Sequence, residues 1–205
     1  MTQHILSFAT GFAISAGLIM AIGAQNLFVL RQGLKRQHVG AVVLFCGTAD
    51  ALLTAAGVGG VGSFLVAFPQ LSSVLALGGA AFLSWNGLVS LRRALRPQAT
   101  EISTSSGATL SQTLAVSAGF TLLNPHVYLD TVLLMGAAGS TQPEAARPIF
   151  VAGAAMASFV WFAALGYGAR LLRPILMRPA AWQALDMTIG IIMLLIGVSL
   201  MARVF

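Results

Sequence analysis

Apolar residues run along this chain in long blocks, and the polar residues collect between the blocks. Marking charges and turn formers divides the sequence into six apolar segments: Ile5 to Leu30, Val39 to Val66, Leu71 to Leu91, Leu110 to Ala138, Pro148 to Ala169 and Trp182 to Ala202. Blocks of this kind match the ~20 residues that an α-helix needs to cross a bilayer. The pattern predicts an all-α fold, a polytopic membrane helix bundle of six transmembrane helices joined by short connections. The connection from Arg92 to Thr109, rich in Ser and Thr, reads as the most flexible of them.

Composition removes the soluble alternatives. Of 205 residues 58% are apolar and 8% charged, against roughly 25% charged in an ordinary soluble domain. Six spans occupy about 120 positions, which leaves one domain, residues 1–205, and no separate soluble unit. The net charge of +6 does not point to nucleic acid, because the basic residues sit in short loops and do not gather on one exposed face. The lone cysteine, Cys46, excludes an intramolecular disulfide and reads as a small buried hydrophobe. Met1-Thr2-Gln3-His4 has no Lys or Arg of a signal-peptide start, so the first segment reads as a retained helix. No phosphate loop, paired-Cys zinc site or Ser-His-Asp set is visible. Neither an enzyme, nor a cofactor, nor ATP-driven transport by this chain alone is expected.

Charge orders the loops. Lys and Arg resist translocation to the outer side. Nine of the eleven basic residues fall in the first, third and fifth connections: Arg31, Lys35 and Arg36; Arg92, Arg93 and Arg96; Arg170, Arg173 and Arg178. Arg147 and Arg203 remain for the other side. This alternation predicts cytoplasmic basic loops and both termini outside, with a five-span arrangement as the rival. Ala13-Ile14-Ser15-Ala16-Gly17 reappears 102 positions later as Ala115-Val116-Ser117-Ala118-Gly119. The match suggests halves 1–102 and 103–205 related as a 3+3 inverted repeat, an architecture that places a substrate site between the halves near the bilayer midplane. Small residues recur every four positions at Ala9, Ala13, Gly17 and Ala21, and at Gly47, Ala51, Ala55, Gly59 and Ser63. Such stripes suit close helix packing and permit a homodimer.

Candidate chemistry lies in polar residues at membrane depth. A carboxylate at the centre of a spanning helix costs about 2.5–3.5 kcal/mol on insertion scales, so it needs a partner, a wet cavity or a function. Asp50 falls midway along the second segment and Asp130 inside the fourth, and no Lys or Arg falls inside any segment to pair with them. In Asn124-Pro125-His126-Val127-Tyr128-Leu129-Asp130 the proline cannot donate to the helical ladder, and Asn before Pro reads as a helix start. The fourth helix should therefore break, and a half-helix from Pro125 could hold an anion such as a carboxylate at its N-terminus. The alternative is a plain kink. His126 and Asp130, four apart, share a helix face and could relay protons; a merely hydrogen-bonded His126 is the other reading. Gln25 and Asn26 place two amides late in the first segment, as helix bridges or as the counterpart of the fourth-segment break. Tyr128, like Trp85, Trp161 and Trp182, either anchors at headgroups or lines a pocket.

Gly23 to Gly33 (GAQNLFVLRQG), Asp50, the run Asn124 to Asp130 (NPHVYLD), Trp85 and the Ser158-Phe159-Val160-Trp161 segment together resemble the bacterial LysE/ArgO family of lysine and arginine exporters. The likeness extends over the whole chain. It implies an inner-membrane carrier for basic amino acids in which Asp50, Asp130 and the asparagine–proline break take part in export. One departure is Ala24, where the family pattern usually has Pro.

The residues fit a cationic substrate on their own terms. Two carboxylates and a half-helix N-terminus offer an opposite for each charge of arginine or lysine. The expected function is export of arginine or lysine, with protons as the counter-ion. Its candidate substrate- and proton-binding residues are Asp50, Asp130, Asn124, Pro125, Gln25, Asn26, His126 and Tyr128. The alternatives are a carrier of neutral or homoserine-like amino acids, a divalent-cation exporter using Asp50, Asp130, Asn124 and His126, and, more remotely, an intramembrane enzyme.

Overall fold

The computed structural model describes residues 2–20, 23–61, 69–95, 108–124, 127–172 and 179–202. Within these the fold is helical. The helices are α1 (Thr2–Ile19), α2 (Ala24–Lys35), α3 (Val39–Ala56), α4 (Pro69–Leu95), α5 (Leu110–Leu122), α6 (Met135–Ser140), α7 (Arg147–Gly168) and α8 (Pro179–Met201). A π-helical turn, Gly57–Val61, follows α3, and a π-helix, Tyr128–Leu134, leads into α6.

Four stretches are long and apolar enough to cross a membrane: Thr2–Ile19, Val39–Gly60, Glu144–Leu171 and Gln183–Met201. The third and fourth expected crossings are not among them. At 27 residues α4 has the length to cross as well. The fourth is divided.

The first apolar segment is not the continuous helix that its composition suggests. It stops at Ile19 and restarts at Ala24, after Gly23 in an extended conformation (φ −113°, ψ 172°). Glycine costs a helix roughly 1 kcal/mol relative to alanine. Asn26 stabilises the interruption, its Nδ2 donating to the Ile19 carbonyl at 2.8 Å. The restarted helix runs past Arg31, so this arginine is part of α2 and not of a loop. The helix closes at Arg36, whose left-handed backbone (φ 56°) turns the Arg36 N–H back to Gly33 and the Gln37 N–H back to Gln32.

The fourth segment is interrupted as expected. Thr109 and Gln112 form a reciprocal capping box at the start of α5, which ends at Leu122. Beyond the break the chain resumes as a π-helix, a rare form that occurs mostly at functional sites. Pro125 and His126, on which the half-helix and the proton relay were expected to rest, lie outside the described residues.

Helix packing is set by glycine. α1 and α7 run parallel, Ser7 bonding Gln142 just before α7 and Ser15 the Ala154 carbonyl within it, and where they touch a Cβ on Gly11 would collide with the Phe150 carbonyl and one on Gly153 with the Phe8 carbonyl. Such close approach stands in for the hydrophobic force that lipid cannot supply. Gly47 meets the Phe159 ring and Gly166 meets Val39 and Val43, which sets α3 antiparallel on another side of α7. Gly87 and Gly190 face each other where α4 and α8 cross antiparallel, and Gly57 and Gly136 bring the end of α3 against the fourth segment in parallel.

The stripe that α1 buries is Ser7, Gly11 and Ser15. The expected stripe of Ala9, Ala13 and Gly17 is exposed instead. Both have the four-residue period, and the distinction lies in which one meets α7.

Lys35, Arg36, Arg92 and Arg170 all lie at one end of the bundle, where α2, α4 and α7 finish and α8 begins. Arg147 opens α7 at the other end.

Candidate functional site

The two interruptions open into one cavity of about 320 Å³, within the range of small-molecule sites. Gly23, Gln25 and Asn26 reach it from the start of α2, Asp50 and Thr54 from α3, and Ser158 from α7. Asn124, Val127, Asp130 and Thr131 reach it from either side of the fourth-segment break. Five of the eight expected site residues, Gln25, Asn26, Asp50, Asn124 and Asp130, thus share one space although they come from three different segments.

Asp50 is 7% exposed, and its carboxylate is hydrogen-bonded to the Ser158 side chain. Among the described residues lining the cavity there is no Lys or Arg to neutralise it. Arg31, inside α2, pairs elsewhere: its Nη2 is 3.0 Å from Asp186 Oδ1, with both side chains largely withdrawn from the surface. That ion pair ties α2 to α8 near the basic end. It gives the carboxylate of Asp186 a structural partner.

Asn26 does two jobs at the rim of the cavity. Its Nδ2 donates to Ile19, and its Oδ1 accepts from Trp161 Nε1 at 3.3 Å. Tyr128 is the corresponding device at the other break. Its hydroxyl donates to the Leu122 carbonyl at 2.8 Å, closing the end of α5. Tyr128 is not among the described residues lining the cavity.

Ser158, Thr54, Thr131 and Ser15 line the site without having been expected there. Serine and threonine in a spanning helix most simply return their hydroxyl to the carbonyl four residues earlier, as Ser117 and Thr121 do here. Sequence therefore gives little sign of which hydroxyl faces a cavity. Among the described residues no group of three or more His, Cys, Asp or Glu is placed to hold a metal ion.

A family model described as the LysE type translocator matches residues 16–203. The chain belongs to that family. Among its relatives are a provisionally named amino-acid transporter of Mycobacterium tuberculosis, 46% identical over 187 residues (91% of this chain and 92% of the relative), and a provisionally named amino-acid transporter, YggA, of Aeromonas salmonicida, 43% identical over 197 residues (94% and 96%). The arginine exporter protein ArgO of Yersinia enterocolitica is 37% identical over 194 residues (94% and 95%). No solved structure matches. Membership of the LysE family makes this an amino-acid transporter of the membrane, not an enzyme.

Proposed function

We propose that this LysE-family chain exports basic amino acids, arginine or lysine, across the cytoplasmic membrane in exchange for protons. One observation carries the reading: Asp50 and Asp130 face a single cavity at the meeting of two interrupted segments. Carboxylates at membrane depth are costly, and here their cost is offset by a cavity that a cationic substrate or protons can enter. The arginine exporter among the relatives supports the choice of a basic substrate.

The packing directions support six crossings and an inverted repeat. Exchanging the halves maps the parallel α1–α7 contact onto the parallel contact of α3 with the fourth segment. It maps the α4–α8 and α3–α7 antiparallel contacts onto themselves. The two broken segments, first and fourth, exchange as well. A site on such an axis is exposed alternately to the two sides when one half rocks against the other.

Moving one positive charge outward against ~150 mV costs about 3.5 kcal/mol, a several hundred-fold bias against export. A proton moving inward through the same carboxylates cancels that charge. Asp50 and Asp130 then hold the substrate's cationic groups in one half of the cycle and the returning proton in the other.

The test is counterflow of labelled arginine in proteoliposomes with an imposed pH gradient. Wild-type protein should accumulate arginine against its gradient, and Asp130→Asn should abolish the pH-driven component. Asp50→Asn should act in the same direction. Equal transport by wild type and Asp130→Asn overturns the scheme, and displacement of the label by leucine or homoserine but not by lysine assigns a neutral substrate.

A further inference from the structure

Resting on the reading of an amino-acid substrate, we propose that the α-carboxylate of the substrate is held at the N-terminus of α2 by the Ala24 and Gln25 backbone N–H groups and the Gln25 side-chain amide. The first-segment break, not the proline of the fourth, then supplies the carboxylate subsite.

The N-terminus of α2 faces the cavity and carries no cap of its own. Gly23 has no side chain to offer, and no side-chain hydrogen bond closes this end. The first bond within the helix runs from the Leu27 N–H to the Gly23 carbonyl at 3.2 Å. The Ala24 and Gln25 N–H groups precede it and have no acceptor within the helix. Ala24 stands at the first helical position, where a proline would have removed a donor. A twelve-residue helix also brings a partial positive charge to this end, which favours an anion.

Gln25 is the second and independent observation. It is 8% exposed and lines the cavity, yet among the described residues its Nε2 has no hydrogen-bond partner. The neighbouring polar group is the Cys46 thiol, whose sulfur is a weak acceptor. A buried amide left so is costly unless something meets it. A carboxylate oxygen seated on α2 is an acceptor of the right kind in the right place.

Charge balance then divides the cavity. Asp50 and Asp130 repel a carboxylate and attract the ammonium and side-chain cation, whereas the α2 end does the reverse. A zwitterionic amino acid is oriented by its two ends, and a decarboxylated amine loses one of them. Specificity for an amino acid over the corresponding amine therefore belongs to the first segment.

The experiment is competition in proteoliposomes of the full chain, with arginine and its decarboxylated analogue agmatine each displacing labelled arginine. In wild type arginine should displace at least 30-fold better than agmatine. Gln25→Glu places a fixed carboxylate in the subsite. It should cut arginine's advantage by tenfold or more, with agmatine affinity retained or raised. Gln25→Met removes the donor without adding charge and serves if the glutamate variant does not insert; it should narrow the ratio by weakening arginine alone. A ratio unchanged in both variants, or agmatine equal to arginine in wild type, overturns the subsite. If wild type does not move arginine at all, the basic-substrate reading fails by itself, and the same ratio taken with leucine against 3-methylbutylamine still decides the subsite.

Discussion

At the scale of single residues, the expense of placing a charge in lipid is what makes a site readable. Asp50 and Asp130 could be singled out because a carboxylate inside an apolar segment demands compensation, and both face the same cavity. The side chains that hold the breaks together carry no such demand. Asn26 and Tyr128 stand 102 positions apart, and each donates to a carbonyl at the end of the preceding helix, Ile19 and Leu122. Nothing in the sequence separates that role from substrate contact, because an amide or phenol serves either. Tyr128→Phe removes one donor and leaves the Leu122 carbonyl without it, a loss of about 1 kcal/mol in stability. Thermal unfolding in detergent should show that decrease, and arginine affinity should stay within about twofold, since a 1.4 kcal/mol change in binding would be tenfold. A large loss of affinity with unchanged stability would return Tyr128 to the substrate's contacts.

Elements were legible in existence and less so in continuity. The break at 123–124 could be expected from Pro125, which has no N–H to give. The break before Ala24 is legible only as one of two readings of Gln25 and Asn26, because Gly23 and a Gln–Asn pair are compatible with a continuous helix until Asn26 is seen to satisfy Ile19. The small-residue stripes illustrate the same limit. Periodicity identifies a flat face, but two flat faces on α1 compete, and only the partner helix decides between them. Gly153, where any Cβ meets the Phe8 carbonyl, and Gly17, with nothing within 4 Å, make a clean comparison. Gly153→Ala must push α1 away from α7 against backbone, and should destabilise by about 1–3 kcal/mol. Gly17→Ala meets open space and removes a flexible residue, so it should be neutral or slightly stabilising. Melting temperatures of the two variants in the same detergent check this. Equal effects would mean that α1 and α7 are not packed backbone to backbone.

For the whole molecule, the distribution of charge and the packing directions bear on one question, which side of the membrane each end faces. The described basic residues Lys35, Arg36, Arg92 and Arg170 gather where α2, α4 and α7 end. The Arg31–Asp186 pair fastens the start of α8 near that same end. Lys and Arg are held on the cytoplasmic side, so His38, just beyond α2, should face the cytoplasm, and Thr141, just beyond α6, should face outward. Both are exposed, and the lone native thiol, Cys46, is fully buried and should contribute little background. A membrane-impermeant thiol reagent applied to intact cells should therefore label Thr141→Cys and leave His38→Cys unlabelled until the membrane is opened. The reverse pattern would invert the bundle and with it the direction of proton exchange. Labelling of both positions from outside would mean an even number of crossings between them, and the alternation of the first and fourth segments on which an inverted pair of half-sites depends would be lost.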